Sequence, residues 1–366
     1  MNNVSNKIAV LVEQARRSVA KNANLAMVVT YYQIGKILIE EWQRGEKRAE
    51  YGAQLLENVS SDLIATFGKG FSVQNLERMR NFFIMYSNTS KELRNADIFQ
   101  KSSNVLRISE MEEKSSTVLR IFNNELIINF LPISWSHYLF LMRIKDEIER
   151  QFYEIETFQN SWTLKELERQ FNTGLFERLA VGKNKEEIMR LAQQGQIVEK
   201  PTDLLKDPLI LDFLGLESSS RYSETELETA IINQIEKFML EMGKGFFFGG
   251  RQVRFSFNEE HYFVDLVFYN RFLRCFVLLD LKIGKLKHQN LGQMQMYVNY
   301  YDRFIKQSDE NNTIGIILCK TKEDAIVEIT LPKDNNQIFA SQYETILPSK
   351  QQFQELLKHN NKRDDL

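Results

Sequence analysis

Between residues 262 and 301 the chain reads YFVDLVFYNRFLRCFVLLDLKIGKLKHQNLGQMQMYVNYY. Two runs rich in Phe, Val, Leu and Tyr each carry one aspartate, Asp265 and Asp280, and Lys282 follows the second at a spacing of two. Such runs predict strands buried on at least one face. A carboxylate in a buried strand is expensive unless something pairs with it. Side chains alternate along a strand, so Asp280 and Lys282 share a face. A short turn near residues 270–272 folds the Asp265 strand back beside the Asp280 strand, and in a suitable register Asp265 joins that face. Two readings are open. One is a buried Asp–Lys pair with no chemistry. The other is two hard oxygen donors converging as Mg²⁺ requires, with an ammonium placed to position a water or steady charge on a phosphate.

The flanking segments favour the second. Ser223-Glu224-Thr225-Glu226 has the form of a capping box and starts a helix, which Leu227, Ile231, Ile235, Phe238 and Met242 continue to Gly243. Glu226 belongs to the cap. Glu228 lies along an apolar edge, and helix geometry alone reads it as exposed. A strand is predicted over 252–257, a helix over 290–304, and one more buried strand over 314–319. The order is helix, three strands, helix, strand.

This order, with Asp on the second strand and D-x-K on the third, resembles the PD-(D/E)xK nuclease superfamily. The local text GKGFFFGGRQ, FVDLVFYN, FLRCFV, LDLKIGKLK and GQMQMYVNYYD is similar to the bacterial YhcG-type nucleases, and the resemblance covers nearly the whole chain. It implies an α+β chain: an all-α N-terminal domain with a helix-turn-helix-like unit, and a C-terminal restriction-endonuclease-like α/β domain around a mixed sheet. By position, Asp265 matches the first acid, Asp280 the second, Lys282 the lysine and Glu228 the acid on the first helix. Gln293 and Tyr297 match a Q-x-x-x-Y pattern on the helix after the lysine. Val264 stands where the motif has proline, and Asp280 where this group more often has Glu. The implied activity is hydrolysis of DNA by metal-activated water. Mg²⁺ or Mn²⁺ would be held by Asp265, Asp280 and the Leu281 carbonyl, Lys282 would act on the water or the developing charge, and Gln293 and Tyr297 would hold substrate or lysine. The rival reading is a non-catalytic nucleic-acid-binding or assembly protein on the same fold. DNA is the expected partner, with RNA or branched DNA as alternatives and a homo-oligomer as an open option.

Charge does not advertise a polyanion partner, since the net formal charge is −2. A nucleic-acid surface must therefore be local. Arg251, Arg254, Arg271, Arg274, Lys285 and Lys287 crowd the proposed site, as backbone binding requires, although a solvated strand rim would look the same. His288 reads as a surface histidine. Cys275 and Cys319 lie in apolar strands and read as reduced core residues. No apolar run approaches membrane-span length, and the first residues lack a signal-peptide layout, so no membrane contact and a cytoplasmic location are expected.

Residues 1–194 read as helical. Two apolar stripes, Val4–Ile8–Leu11–Val12 and Met27–Tyr31–Ile34–Leu38–Trp42, predict one or two helices over 4–44, and a third helix covers 54–67. Gly68-Lys69-Gly70-Phe71 is a tight turn, and Ser72 caps a helix over 73–86. That arrangement resembles a helix-turn-helix, with Gln74, Asn75, Arg78 and Arg80 exposed and usable on DNA; an ordinary helical hairpin fits the spacing equally. Residues 88–117 form a polar insertion, and KSSNVLRI (101–108) nearly repeats as KSSTVLRI (114–121), which fits a tolerant loop or two strands of a hairpin, the loop being the cheaper reading. Further helices are expected over 134–153, 162–171 (capped by Ser161), 175–179 and 186–194. A linker over 195–208, a nuclease domain over 209–348 with 212–216 docked on it and a strand over 337–346, and a helix and tail over 349–366 complete the expectation.

Overall fold

The computed structural model describes residues 3–44, 49–92, 131–180, 183–216, 222–322 and 324–346. The near-repeat, most of the 88–117 insertion and the 349–366 segment lie outside these residues. The chain divides into two compact units, residues 1–168 with 192–195, and residues 169–191 with 196–366.

In the first unit, α1 (Asn3–Arg44), α2 (Ala49–Phe67) and α3 (Val73–Glu92) are followed by α4 (Trp135–Leu141) and α5 (Glu147–Gln159). Leu38, Leu56, Leu76 and Met79 form a core with Tyr31, Ile34 and Trp135 packed around it. The second apolar stripe of α1 thus faces inward, whereas Ile8, Leu11 and Val12 of the first remain exposed. Gly35 is needed where α1 crosses α3: a Cβ there would stand 2.1 Å from the Met79 carbonyl oxygen. Between α2 and α3, Ser72 Oγ accepts the Asn75 N–H at 3.4 Å. Of the four polar residues expected to be exposed on α3, only Gln74 is. Asn75 and Arg78 are half-buried and bonded to each other at 3.0 Å, and Arg80 lies over the Trp42 ring at 5.1 Å.

The single helix expected over 134–153 is two, because Asp146 accepts the Glu149 N–H and restarts the chain as α5. Thr163, not Ser161, caps α6 (Leu164–Asn172) by accepting the Glu166 N–H; Ser161 sits at φ 52 in the turn before it.

The second unit carries α7 (Leu175–Ala180), α8 (Lys185–Gln194, whose last three residues belong to the first unit), β1 (Leu209–Ile210), α9 (Glu224–Asn233) and α10 (Ile235–Met242). A meander of β2 (Phe246–Phe257), β3 (Glu260–Asn270) and β4 (Cys275–Lys285) follows. Then come α11 (His288–Tyr300), β5 (Ile314–Thr321), α12 (Asp324–Thr330) and β6 (Ile338–Glu344). The helix expected to run unbroken from Glu224 to Met242 is interrupted at Gln234, whose backbone leaves helical angles at φ −123 and ψ 32. The six strands form one mixed sheet in the order β1-β6-β5-β4-β3-β2. β2, β3 and β4 pair antiparallel, and β4, β5, β6 and β1 pair parallel. A parallel pair needs a crossover, and α11 supplies the one between β4 and β5.

Two apolar layers enclose the sheet. On one face Leu266, Phe268, Val277, Leu279, Leu281 and Ile316 pack on Leu227, Ile231 and Phe238 of α9 and α10. On the other, Val267, Leu278 and Ile317 meet Leu291, Met294, Tyr297 and Val298 of α11. Gly315 lets α11 approach closely, since a Cβ there would meet Met294 Sδ at 2.5 Å. Phe213, Leu214 and Leu216 pack against the first layer, and Cys275 and Cys319 are buried free thiols.

At the junction of α6, α7, α10 and β1 lies a buried ionic knot. Glu241 is fully buried, with Arg178 Nη1 at 2.5 Å, Arg169 Nη2 at 3.4 Å and the Ile210 N–H donating at 3.0 Å. Arg178 is also buried and donates to the carbonyls of Pro208 and Thr173. Among the described residues no helix is long and apolar enough to cross a membrane.

Candidate active site

β3 and β4 pair with Leu266 opposite Leu279. One step beyond that register lie Asp265 on β3 and Asp280 on β4, and alternation with Leu278 puts Asp280 on the α11 side. The Leu281 N–H, in the peptide that follows Asp280, donates to Asp265 Oδ2 at 2.8 Å and fixes that carboxylate against β4.

Asp280 is buried, and Lys282 stands on the same face with Nζ 2.8 Å from Oδ2. The Lys282 ammonium is thus the charged partner of a buried Asp280 oxygen. Burial pushes the Asp280 carboxyl up to about 6, the Lys282 charge pulls it down, and the Asp265 charge adds to the rise. Burial and like charge win over the single ammonium. The Lys282 ammonium moves the other way from what burial dictates. Its pKa is raised, because the fields of Asp280 and Glu224 outweigh desolvation. Lys282 Nζ also reaches Glu224 Oε2 at 3.6 Å and donates to the Leu281 carbonyl at 3.2 Å.

Glu228 is buried rather than exposed, because α9 turns that edge onto Arg251 and Gln252 of β2. Its carboxylate accepts from Arg251 Nε and, at 2.7 Å, from Gln252 Nε2. Gln252 Nε2 also donates to Asp265 Oδ1 at 2.9 Å. Glu228, Gln252, Asp265 and the Leu281 amide therefore form one connected chain of bonds. The Ser223–Glu226 capping box that starts α9 is complete: the Ser223 N–H donates to Glu226 at 2.7 Å, and Ser223 Oγ accepts the Glu226 N–H at 3.2 Å.

On α11, Gln293 Nε2 donates to the Tyr297 hydroxyl at 2.7 Å, one helical turn away. Burial, followed by the negative field of Asp280, pushes the Tyr297 phenol up to about 12, so it stays protonated beside the aspartates.

The cations grouped by the sequence separate in space. Arg251 is drawn to Glu228 and also donates to Thr229. Arg254 bonds His261, Arg271 covers the Phe272 ring and Arg274 pairs with exposed Asp309 at 2.6 Å. Lys285, Lys287 and His288 are exposed at the β4–α11 turn. Sequence reading missed Gln252 and Glu224. Gln252 meets partners 24 and 13 residues away, and no local pattern marks such a residue. Glu224 was visible only as a first-turn helix acid.

Among the described residues, no three His, Cys, Asp or Glu side chains gather as a metal cage. Mg²⁺ does not require one: it keeps several waters and is held by one or two carboxylates together with substrate phosphates. Asp265, Asp280 and the Leu281 carbonyl supply an all-oxygen donor set of the kind that ion takes.

Residues 202–358 match the family described as YhcG PDDEXK nuclease domain, and residues 7–178 match the DUF1016 N-terminal domain. YhcG of Escherichia coli (strain K12) is 35% identical over 344 residues, which is 92% of this chain and 88% of the relative. Two solved structures are similar over about half of their own length. One is a repair endonuclease from Pyrococcus abyssi (17% identity, 36% of this chain, 50% of that chain, TM-score 0.24). The other is an EndoMS–dsDNA2 complex (14% identity, 37% of this chain, 51% of that chain, TM-score 0.25). The nuclease domain matches where the acids and lysine lie, and the relative matches nearly end to end: the chain belongs to the YhcG family, an N-terminal DUF1016 domain joined to a PDDEXK nuclease domain.

Proposed function

We propose that this protein hydrolyses phosphodiester bonds in DNA with Mg²⁺ or Mn²⁺ held by Asp265, Asp280 and the Leu281 carbonyl. The observation that carries the reading is the buried Asp280 carboxylate with Lys282 at 2.8 Å, beside a second aspartate fixed to the next peptide. A cation bound there would polarise a phosphate oxygen and lower the pKa of an attacking water. Lys282 positions that water and neutralises the charge that develops on the phosphate. Tyr297, kept protonated, offers a hydroxyl donor, and Gln293 fixes its direction. Glu228 acts on the set from outside, through Gln252. Lys285 and Lys287, with Arg254 and Arg274 on the meander, bind the phosphate backbone. The helical residues 1–194 add DNA or partner contacts, with Gln74 presented at the α2–α3 turn.

The test is cleavage of plain duplex, single-stranded and branched DNA across a Mg²⁺ and Mn²⁺ titration, with Asp280→Ala as control. Chelator-sensitive cutting by wild type, absent in Asp280→Ala, is expected. Ion-independent DNA binding without cutting would instead make the protein a binding module on a nuclease fold.

A further inference from the structure

We propose that Gln252 is a positioning residue of this site, held in a strained backbone so that one amide can fix two carboxylates at once. The inference rests on the metal-dependent reading above and concerns a residue outside its acid–lysine set.

Two independent observations meet at this position. The first is the bonding. The Gln252 amide nitrogen donates to Glu228 Oε2 at 2.7 Å and to Asp265 Oδ1 at 2.9 Å. An amide NH₂ has two hydrogens, and here each goes to a different carboxylate. Two negative groups that would otherwise repel are held apart and in fixed orientation by a neutral donor. Arg251 takes the other Glu228 oxygen and the Leu281 N–H takes the other Asp265 oxygen, so each oxygen of both carboxylates has a defined donor.

The second is the backbone. Gln252 lies within β2 at φ 47, in the left-handed region that non-glycine residues rarely occupy. Its neighbours Arg251 and Val253 keep their pairing with Leu266 and Val264, so the excursion is confined to one residue. Glycine would adopt this angle without cost. A glutamine kept there indicates that its side chain matters more than backbone ease, and strain of this kind gathers at functional sites. Nothing in apolar packing requires it, since the residue is exposed.

Two variants separate the side chain from the backbone. Gln252→Ala removes the amide and keeps the strain. Gln252→Gly removes both. In metal-free buffer Gln252→Gly should melt about 2–4 °C above Gln252→Ala. By calorimetry both should bind Mn²⁺ about tenfold more weakly than wild type, as for loss of a residue that orients metal-ligating groups. Both should cut DNA more slowly. A residue that serves only the strand would move the melting temperature and leave Mn²⁺ affinity alone. If wild type binds Mn²⁺ and both variants bind it equally well, this inference fails and the reading of the site survives. If wild type itself binds no Mn²⁺, the site reading fails and takes this inference with it.

Discussion

The buried knot at Glu241 sets a test of what holds the second unit together. Glu241 and Arg178 are both fully inaccessible at their side chains. Truncating Glu241 to alanine leaves the Arg178 guanidinium buried without its counter-charge and orphans the Ile210 N–H. Breaking a buried pair from one side costs about 3–5 kcal/mol. Linkage gives a second figure. Burial raises the Glu241 carboxyl, but Arg178, Lys206 and Arg169 together outweigh it and hold the pKa at about 2, against 4.5 for a free glutamate. A depressed acid contributes stability that is present above the free value and is lost as pH falls through the folded one. The difference corresponds to about 3 kcal/mol, present at pH 7 and lost between about pH 4.5 and 2. The two figures describe the same interactions and are not to be added.

The assay must look at the right unit. All three tryptophans, Trp42, Trp135 and Trp162, lie in the first unit, so their fluorescence reports that unit. Amide hydrogen exchange in β4 and β5 reports the second unit. In Glu241→Ala those amides should lose protection by about the full 3 kcal/mol or more. Glu241→Leu combined with Arg178→Met should recover part of the loss, because it removes the Arg178 charge that the single variant strands, while the buried Lys206 ammonium remains and limits the recovery. Loss below about 1 kcal/mol in the single variant, or a double variant worse than the two singles summed, would refute the reasoning.

Three further outcomes are expected. Lys282→Ala should lose about a hundredfold or more in cleavage rate and keep Mn²⁺ affinity, whereas Asp280→Ala should lose both; wild-type cutting by Lys282→Ala would reduce the lysine to a structural partner of Asp280. In the first unit, burial holds the Glu154 carboxyl up at about 7 against the pull of Tyr138 and Arg150. An acid raised in the folded state makes stability fall as pH climbs from about 4.5 to 7, so urea titrations followed by tryptophan fluorescence should show that decline in wild type and not in Glu154→Gln. Replacing Lys285 and Lys287 together by alanine should flatten the dependence of DNA affinity on salt by about two in the log–log slope, without changing the melting temperature; an unchanged slope would move the DNA path elsewhere.

The acid–lysine set was legible because strand periodicity is local. Alternation placed Asp280 and Lys282 on one face, and the short turn before Cys275 set the register that brings in Asp265. The Ser223–Glu226 box was legible for the same reason. Glu228 was not: helix geometry alone points it to solvent, and only the sheet beneath α9 buries it. The break at Gln234 escaped because apolar spacing carries through it. Glu241 reads as an ordinary helix acid until Arg169 and Arg178 arrive from 72 and 63 residues away. What pattern reading loses, in each case, is the partner that tertiary structure supplies.

The strand order also carries a history of assembly. β2, β3 and β4 are neighbours in sequence and in the sheet, joined by turns of a few residues. β1 pairs with β6 through Leu209 and Tyr343, so the chain between them must be gathered before that edge can close. Loop-closure entropy and low local contact order favour the meander as the early part and β1 as the late one. During synthesis from the N-terminus β1 emerges long before its partner strand does. On that order the two aspartates would be brought together by the fast-forming end of the sheet, and the Ile210 amide would reach Glu241 only when the slow edge docks. A chain caught between those stages would have its acids in place and its ionic knot still short of one donor.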